Sequence, residues 1–282
     1  MHAMMKTMSK WIKSVRLILT LAGMALASTS AHTAIIFSAA PFGDSEEAIQ
    51  IFTPLAKYLE EVIGETVIYE HPASWSDYAQ NMRSGRYDIV FDAPHFGSWR
   101  IKNIKHTPVV RLPGKLGYVI LTMKNKKELN TLRDLLGVKI CALESPTLGT
   151  LTVYKLFPNP VFMPQIREIS GNFRDVYKEL KDGKCEAAVL QDVTYDHLIP
   201  AEKREVKVIT KSAQMPQMTL TIGPRLLSKK KLIAQKLMTS KATRAAAKLL
   251  SNNGMHTKSF VSVEMSEYKD LEHLLTDVAW GW

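Results

Sequence analysis

A short loop before a predicted helix carries hydroxyl side chains and a glycine. In Glu144-Ser-Pro-Thr-Leu-Gly-Thr150, Thr147 and Thr150 fall near the first turn, and Gly149 permits close approach of the backbone. The first N–H groups of a helix lack partners within it, and the helix dipole adds positive potential there. The loop therefore predicts an anion-binding site. Ser145 or Thr147 acting only as a helix cap explains the pattern equally well.

A second polar group follows a predicted buried strand, in the segment Asp92-Ala-Pro-His-Phe96. Asp92 can accept a hydrogen bond from a protonated oxyanion or a ligand amine, His95 can donate one, and Phe96 can cover an apolar part of a ligand. Asp92 and His95 can instead cap the next helix. We expect ligand contacts from both residues.

Further candidates lie at the ends of other predicted elements. Ala40 and Phe42 follow the first strand, where small residues leave room for a ligand. Phe173 begins a helix whose N-terminus points toward the same region. Asp192 ends another predicted strand, which corresponds in its sequence pattern to the strand that ends at Asp92. Tyr118 lies near a predicted connection between two parts of the chain.

The sequence offers little support for catalysis. The eight histidines show no paired metal-binding spacing, and no nucleophile elbow or Gly-rich nucleotide loop is present. We therefore expect no catalytic residues, no metal and no cofactor. Cys141 lies in a strand pattern, which favours a small buried residue over a nucleophile. The sequence leaves open whether Cys141 pairs with Cys185, the only other cysteine.

The chain of 282 residues carries a formal net charge of +10, with 37 basic and 27 acidic residues. Residues 203–248 hold twelve of the basic side chains and one acid, Glu205. This stretch lacks interleaved aromatic residues and any nucleic-acid-binding motif, so it is interpreted as a solvated helical face. We expect no nucleic-acid partner.

The N-terminus has the features of a secretory signal. Four basic residues precede the apolar run 17–27, which is too short to span a bilayer unassisted. We predict a signal peptide over residues 1–27, with cleavage after Ala27 or alternatively after Ala31. An uncleaved membrane anchor is the other interpretation. The mature chain is expected in the periplasm.

Strand-like apolar runs alternate with helical periodicity along the rest of the chain. Residues 35–92 and 136–190 repeat the order strand, helix, strand, helix, strand, and residues 118–127 separate them. Such alternation is typical of parallel sheets covered by helices on both faces. Residues 206–222 are extended in character, and the remainder is helical apart from 259–263.

This organisation predicts an α/β fold of two lobes, each a mainly parallel sheet flanked by helices, joined by two hinge crossings. We expect the helical tail to pack back on the first lobe. Lobe 1 then comprises residues 34–118 and 215–282, and lobe 2 comprises 119–214. A ligand would bind in the cleft, where strand ends and helix N-termini converge.

Several short motifs occur in a characteristic order. They are Phe37-Ser-Ala-Ala-Pro41, Pro54-Leu-Ala-Lys-Tyr-Leu59, Gly85-Arg-Tyr-Asp-Ile-Val-Phe-Asp-Ala-Pro94, Leu132-Arg-Asp-Leu-Leu-Gly137, Ser170-Gly171, and Phe260-Val-Ser-Val with Tyr268. Their order resembles the phosphate/phosphite/phosphonate group of periplasmic ABC-transporter substrate-binding proteins, over about Ile35 to Leu275. The resemblance implies a type 2 periplasmic-binding-protein fold and capture of a small solute for a membrane permease. It also implies that Trp75 and Tyr78 belong to an aromatic ligand wall.

The leading hypothesis is a monomeric periplasmic protein whose lobes close on a small anionic solute, phosphonate- or phosphate-like, and dock on an inner-membrane ABC permease. In a second hypothesis the closed form is presented to a sensor kinase or chemoreceptor. In a third hypothesis the protein is an enzyme of the same fold that uses Cys141.

Overall fold

The structure is a computed structural model that describes residues 34–41, 43–256 and 258–276. The predicted signal peptide lies outside these residues, and so does Phe42. Within the described ranges, no helix combines the length and the apolar composition that crossing a bilayer requires.

Strands and helices alternate along the described chain. The strands are β1 (Ile35–Ala39), β2 (Val67–Tyr69), β3 (Ile89–Asp92), β4 (Thr107–Arg111), β5 (Lys115–Leu116), β6 (Tyr118–Met123), β7 (Lys139–Leu143), β8 (Gln165–Ile169), β9 (Ala187–Gln191), β10 (Val206–Lys211), β11 (Met215–Pro216) and β12 (Thr219–Ile222). The helices are α1 (Ser45–Ile63), α2 (Trp75–Ser84), α3 (Pro94–Ile104), α4 (Leu148–Leu156), α5 (Phe173–Lys181), α6 (Asp192–Asp196), α7 (Pro200–Glu205), α8 (Lys230–Leu237), α9 (Ser240–Ala245), α10 (Ala247–Asn252) and α11 (His273–Thr276).

The first lobe is built on a five-stranded sheet in the order β2-β1-β3-β12-β4. β1 pairs in parallel with β2 and β3, while β12 runs antiparallel between β3 and β4. Four strands thus point one way and one is reversed. Because β12 comes from late in the chain, this sheet combines two distant stretches of sequence.

The second lobe is built on a five-stranded sheet in the order β10-β6-β9-β7-β8. β7 pairs in parallel with β8 and β9, whereas β6 runs antiparallel between β9 and β10. Each lobe therefore has a mainly parallel sheet with one reversed strand, and the two-lobed α/β fold expected from the sequence is confirmed.

The chain crosses between the lobes twice, and the two crossings are paired. β5 lies on the way from β4 to β6, and β11 lies on the way from β10 to β12. These short strands pair antiparallel, with Met215 opposite Leu116 and Pro216 opposite Lys115. The Gln217 side chain also donates to the Lys115 carbonyl at 3.0 Å. The crossings therefore form one ribbon.

Residues 118–127 are not only a connection between the two units, as the sequence suggested. Their first part is β6, an interior strand of the second sheet. Its run Tyr-Val-Ile-Leu-Thr-Met is almost uniformly apolar because an interior strand is covered on both faces. The extended stretch 259–263 contributes only one β-bridge, between Val261 and Arg111.

Local signals define the helix ends that face the cleft. Asp44 caps α1 by accepting from the N–H groups of Glu46 at 2.8 Å and Glu47 at 3.2 Å. Gly64 ends the same helix at φ 76°, a left-handed conformation that glycine adopts without strain. Asn172 caps α5, accepting from the Arg174 N–H at 2.8 Å.

Apolar packing continues from one lobe to the other beside the ribbon. One buried cluster includes Phe96 of the first lobe together with Tyr118 and Leu151 of the second. Leu274 and Leu275 of α11 belong to it, and α11 packs on both α3 and α4. The lobes are thus in direct contact along this side.

Cys141 in β7 and Cys185 just before β9 form a disulfide. Their strands are neighbours in the second sheet, and both side chains are buried in its core. The bond answers the question that the sequence left open. It also removes the free thiol on which the enzyme hypothesis depended.

Candidate functional site

A cavity of about 640 Å³ lies between the lobes, within the size range typical of ligand pockets. The first lobe contributes Ala40 and Phe91 to its lining, and the second contributes Tyr118, Leu148 and Phe173. A ligand in this space would therefore contact both lobes.

Two helices of opposite lobes, α3 and α4, begin at the cavity with neither a side-chain cap nor an acidic residue in the first turn. α3 follows Ala93 and α4 follows Thr147, and neither residue makes a capping hydrogen bond to its helix. Neither helix has an acidic residue in its first turn, unlike α1 and α5. Ala93 and Leu148 line the cavity. The first N–H groups of both helices lack partners within the helix, so they favour a bound anion.

The two N-termini touch through His95 in the first turn of α3. Its Nε2 lies 3.1 Å from the carbonyl oxygen of Pro146, just before α4. Because a carbonyl only accepts, Nε2 must carry the proton of a neutral ring. Complete burial lowers the pKa of His95 to about 4. His95 is therefore a neutral link between the lobes, and it does not line the cavity.

The predicted hydroxyl donors of the loop before α4 point inward. Thr147 donates to the Leu143 carbonyl at 3.2 Å, and Thr150 bonds to the same oxygen. Both side chains are buried, and neither residue lines the cavity. The expected hydroxyl contacts to a ligand are therefore not formed in this structure, because the end of β7 uses both hydroxyl groups. Only the backbone of this turn remains to bind an anion.

Gly149 has a packing role in the first turn of α4. A Cβ atom there would lie 3.3 Å from the Tyr118 ring and 3.4 Å from the Phe173 ring. These two rings lie 5.9 Å apart between centroids and line the cavity. Burial raises the pKa of the Tyr118 hydroxyl, so the ring stays neutral. Because Gly149 has no side chain, the Tyr118 and Phe173 rings can pack directly against α4.

Asp92 lies outside the cavity, in a buried cluster of the first lobe. Arg100 Nε donates to one carboxylate oxygen at 2.6 Å, and the Tyr78 hydroxyl donates to the other. Burial raises the pKa of Asp92, and the adjacent Arg100 guanidinium partly opposes that rise. The Arg100 guanidinium also lies 5.3 Å from the Tyr78 ring centroid. The carboxylate is thus engaged by protein groups, and this cluster is structural.

Trp75 and Asp192 do not line the cavity either. Trp75 stacks on Phe96 with 5.8 Å between ring centroids. One carboxylate oxygen of Asp192 accepts from the Gln214 side chain at 2.7 Å, next to the ribbon, while its neighbour Gln191 lines the cavity.

Of the residues expected to contact ligand, the structure brings three to the cavity, Ala40, Tyr118 and Phe173. It places eight elsewhere: Trp75, Tyr78, Asp92, His95, Thr147, Gly149, Thr150 and Asp192. Phe42 lies outside the described residues. A residue at a strand end can turn into the core as readily as toward the cleft, and the ligand contacts expected of these eight residues stay predictions.

Other lining residues were not singled out from the sequence as ligand contacts. They are Asp44, Glu47, Phe52, Phe91, Arg174, Thr194, Met218, Asn252 and Asn253. Their local signals are those of caps and core positions, as with Asp44 before α1. Arg174 is the sole cationic side chain among the described lining residues, and its guanidinium lies 3.1 Å from Glu202.

Metal chemistry has no visible basis in the described part of the chain. No group of three or more His, Cys, Asp or Glu side chains there is arranged to hold a metal ion.

Two lobes, a paired double crossing and a cavity between the lobes define a solute-binding protein of the periplasmic-binding-protein class. Residues 37–268 match the family described as ABC transporter, phosphonate, periplasmic substrate-binding protein. The chain belongs to this family, and the resemblance drawn from motif order is confirmed. Proteins of this family are periplasmic and deliver a small molecule to a membrane permease. No curated protein sequence matches the chain.

Solved structures show the same fold at low sequence identity. A Xanthomonas citri protein bound to ATP has a TM-score of 0.70 at 14% identity, covering 86% of this chain and 96% of its own. PhnD1 from Prochlorococcus marinus in complex with methylphosphonate gives 0.67 at 15% identity, covering 86% and 97%. A binding protein component of an ABC phosphonate transporter from Pseudomonas aeruginosa gives 0.63 at 16% identity, covering 88% and 89%. These likenesses establish the architecture.

Proposed function

We propose that this protein is a monomeric periplasmic receptor that captures a small organic anion of the phosphonate type and presents it to an inner-membrane ABC permease. The observation that carries the proposal is the meeting of α3 and α4 at the cavity. Each contributes an uncapped N-terminus without acidic residues, and they come from opposite lobes. Family membership supports the transport role.

The anion would be held mainly by backbone dipoles. Each helix N-terminus is equivalent to about half a positive charge, and two of them compensate a monoanion. Arg174, the one cationic side chain of the described lining, is already paired with Glu202, and the other side-chain donors there, such as Thr194 and Asn252, are neutral. Backbone donors can replace the hydration shell of an oxyanion without burying an unpaired side-chain charge.

The lobes would close around the solute by bending at the paired crossings. We propose the boundaries expected from the sequence, residues 34–118 and 215–282 for lobe 1 and 119–214 for lobe 2, except that Tyr118 belongs to lobe 2 because it begins β6 of the second sheet. The ribbon of β5 and β11 lies at both junctions. A ligand that contacts both lobes stabilises the closed arrangement by its differential affinity for it.

Binding is tested by calorimetry and thermal unfolding with methylphosphonate, phosphite, inorganic phosphate and methanesulfonate. A probe at 100 times its dissociation constant adds about 2.7 kcal/mol to the free energy of unfolding. For a chain of this length that raises the melting temperature by roughly 5–10 °C. If none of the four anions binds, the proposal is wrong.

The anion site itself is tested by substituting Ala93, the N-cap residue of α3. Ala93→Asp adds a carboxylate that caps the helix and repels an anion, whereas Ala93→Asn adds a neutral cap of nearly the same size. We expect Ala93→Asp to bind methylphosphonate at least tenfold more weakly than Ala93→Asn, while both fold. Equal affinities would place the anion away from this N-terminus.

A further inference from the structure

The cavity is much larger than the simplest anions of the phosphonate type. Methylphosphonate has five non-hydrogen atoms, and at roughly the 30 Å³ that one water occupies in the liquid for each atom, it fills at most about 150 Å³. The cavity measures about 640 Å³. Such an anion at the N-termini of α3 and α4 would leave most of the space to water.

The remaining space has mainly apolar walls. Tyr118 and Phe173 face it from the second lobe, and Phe52, Phe91 and Met218 face it from the first. The Tyr118 and Phe173 rings are held in place by the first turn of α4, where a side chain at position 149 would press on both. An apolar group between these walls would replace water with favourable contacts.

The large volume of the cavity is not due to a gap between lobes that are out of contact. His95 and Pro146 are in hydrogen-bond contact beside the cavity. The apolar cluster continues from the first lobe to the second, and α11 packs on α3 and α4 together. The lobes are already joined along this edge, so the walls beside it are in place, and the cavity is partly open to solvent on its other side.

The charged side chains of the lining limit which further chemical groups the ligand can have. Asp44 and Glu47 line the cavity with exposed carboxylates, and in the described part of the lining Arg174 is the one cation facing them. A second anionic group on the ligand would lie in a field that these carboxylates make unfavourable. The lining therefore fits one anionic head and a body without a second negative charge.

We infer that the ligand is an organic monophosphonate or similar oxyanion with one anionic head and an apolar, aromatic-sized body, of about ten or more non-hydrogen atoms. The body lies between the rings of Tyr118 and Phe173 and the first-lobe side chains Phe52, Phe91 and Met218. This inference rests on the proposed function and specifies the class of solute.

The test compares three probes by calorimetry: methylphosphonate, phenylphosphonate and phosphonoacetate. Phenylphosphonate adds apolar surface to the same head, so we expect it to bind at least tenfold more tightly than methylphosphonate. Phosphonoacetate adds a second anionic group and should bind more weakly than phenylphosphonate by a similar factor. The reverse order in either comparison overturns the inference.

Phe173→Ala tests whether the apolar body of the ligand binds beside the Phe173 ring. Phe162→Ala is the matched control because Phe162 is exposed and does not line the cavity. In Phe173→Ala the preference for phenyl over methyl should fall below threefold, because one of the two second-lobe rings is lost. Phe162→Ala should keep the tenfold preference. A preference that survives in Phe173→Ala overturns the placement.

Binding of methylphosphonate without any gain from the phenyl group overturns this inference alone, whereas no binding of any probe overturns the proposed function as well.

Discussion

His95 is a fully buried histidine at the contact between the lobes, and its burial makes stability depend on pH. Its pKa falls from 6.5 to about 4 in the folded protein. Between these values the unfolded chain binds a proton that the folded protein does not. The free energy of unfolding therefore decreases as the pH falls from about 6.5 to 4. His106, whose pKa burial lowers to about 3, acts in the same direction.

The contribution of His95 is measured with His95→Gln. The glutamine amide nitrogen can take the place of Nε2 as donor to Pro146, but it does not titrate. In urea unfolding, the loss of stability between pH 7 and pH 4.5 should be smaller in this variant by about 2 kcal/mol. Phe162→Gln, at an exposed position without a titratable group, is the control and should retain the original pH dependence. An unchanged loss in His95→Gln would contradict the assignment.

Asp92 illustrates why residue type and position do not identify a ligand contact. A carboxylate at the end of a strand is equally suited to a solute and to a buried arginine eight residues later in the next helix. The structure pairs it with Arg100, and both side chains are fully buried. Removing one member of such a pair leaves an uncompensated buried charge. A loss of binding in an Asp92 variant would therefore report on folding.

At the level of elements, α3 and α4 differ from α1 and α5 because their N-termini lack both a side-chain cap and acidic residues in the first turn. α1 and α5 satisfy their first N–H groups with Asp44 and Asn172 and carry acidic residues in the first turn. α3 and α4 have neither feature. Orphaned N–H groups at a buried helix end are costly unless something binds them. This contrast supports the proposal that an anion binds at this end of the cavity.

The disulfide ties together elements of the second lobe that are 44 residues apart in sequence. Closing a loop of this length restricts the unfolded chain, which typically stabilises the fold by about 2–4 kcal/mol. We expect the double variant Cys141→Ala/Cys185→Ala to lose stability in this range in urea unfolding. Dithiothreitol should destabilise the original protein by a comparable amount and leave the double variant unchanged. Equal sensitivity of both proteins would contradict the disulfide.

At the level of the whole molecule, α11 connects the lobes from outside the crossings. Leu274 and Leu275 are buried against α3 and α4, and Glu272 accepts from Ser98 of α3 at 2.7 Å. Residues 272–275 thus link α3 of the first lobe with α4 of the second. Packing at this point should affect both stability and ligand affinity.

Leu275→Ala tests this connection. Loss of a buried leucine side chain should cost about 2–5 kcal/mol, and methylphosphonate should bind severalfold more weakly because the N-termini are less well positioned. Leu232→Ala, at an exposed position of α8, should change the free energy of unfolding by less than about 1 kcal/mol and leave affinity unchanged. Lower stability with unaltered affinity in Leu275→Ala would show that α11 does not position the site.

The sequence alone determined the periodic alternation of strands and helices and the family. These features depend on local backbone chemistry and on apolar spacing, which neighbouring residues encode. The reversed interior strand β6 and the partners of Asp92, Thr147 and Thr150 were decided only by tertiary structure. Each of these polar groups has several possible partners of similar energy, and its choice depends on which elements from distant parts of the chain pack beside it. The cavity lining is likewise a property of two surfaces brought together, so no single stretch of sequence contains it.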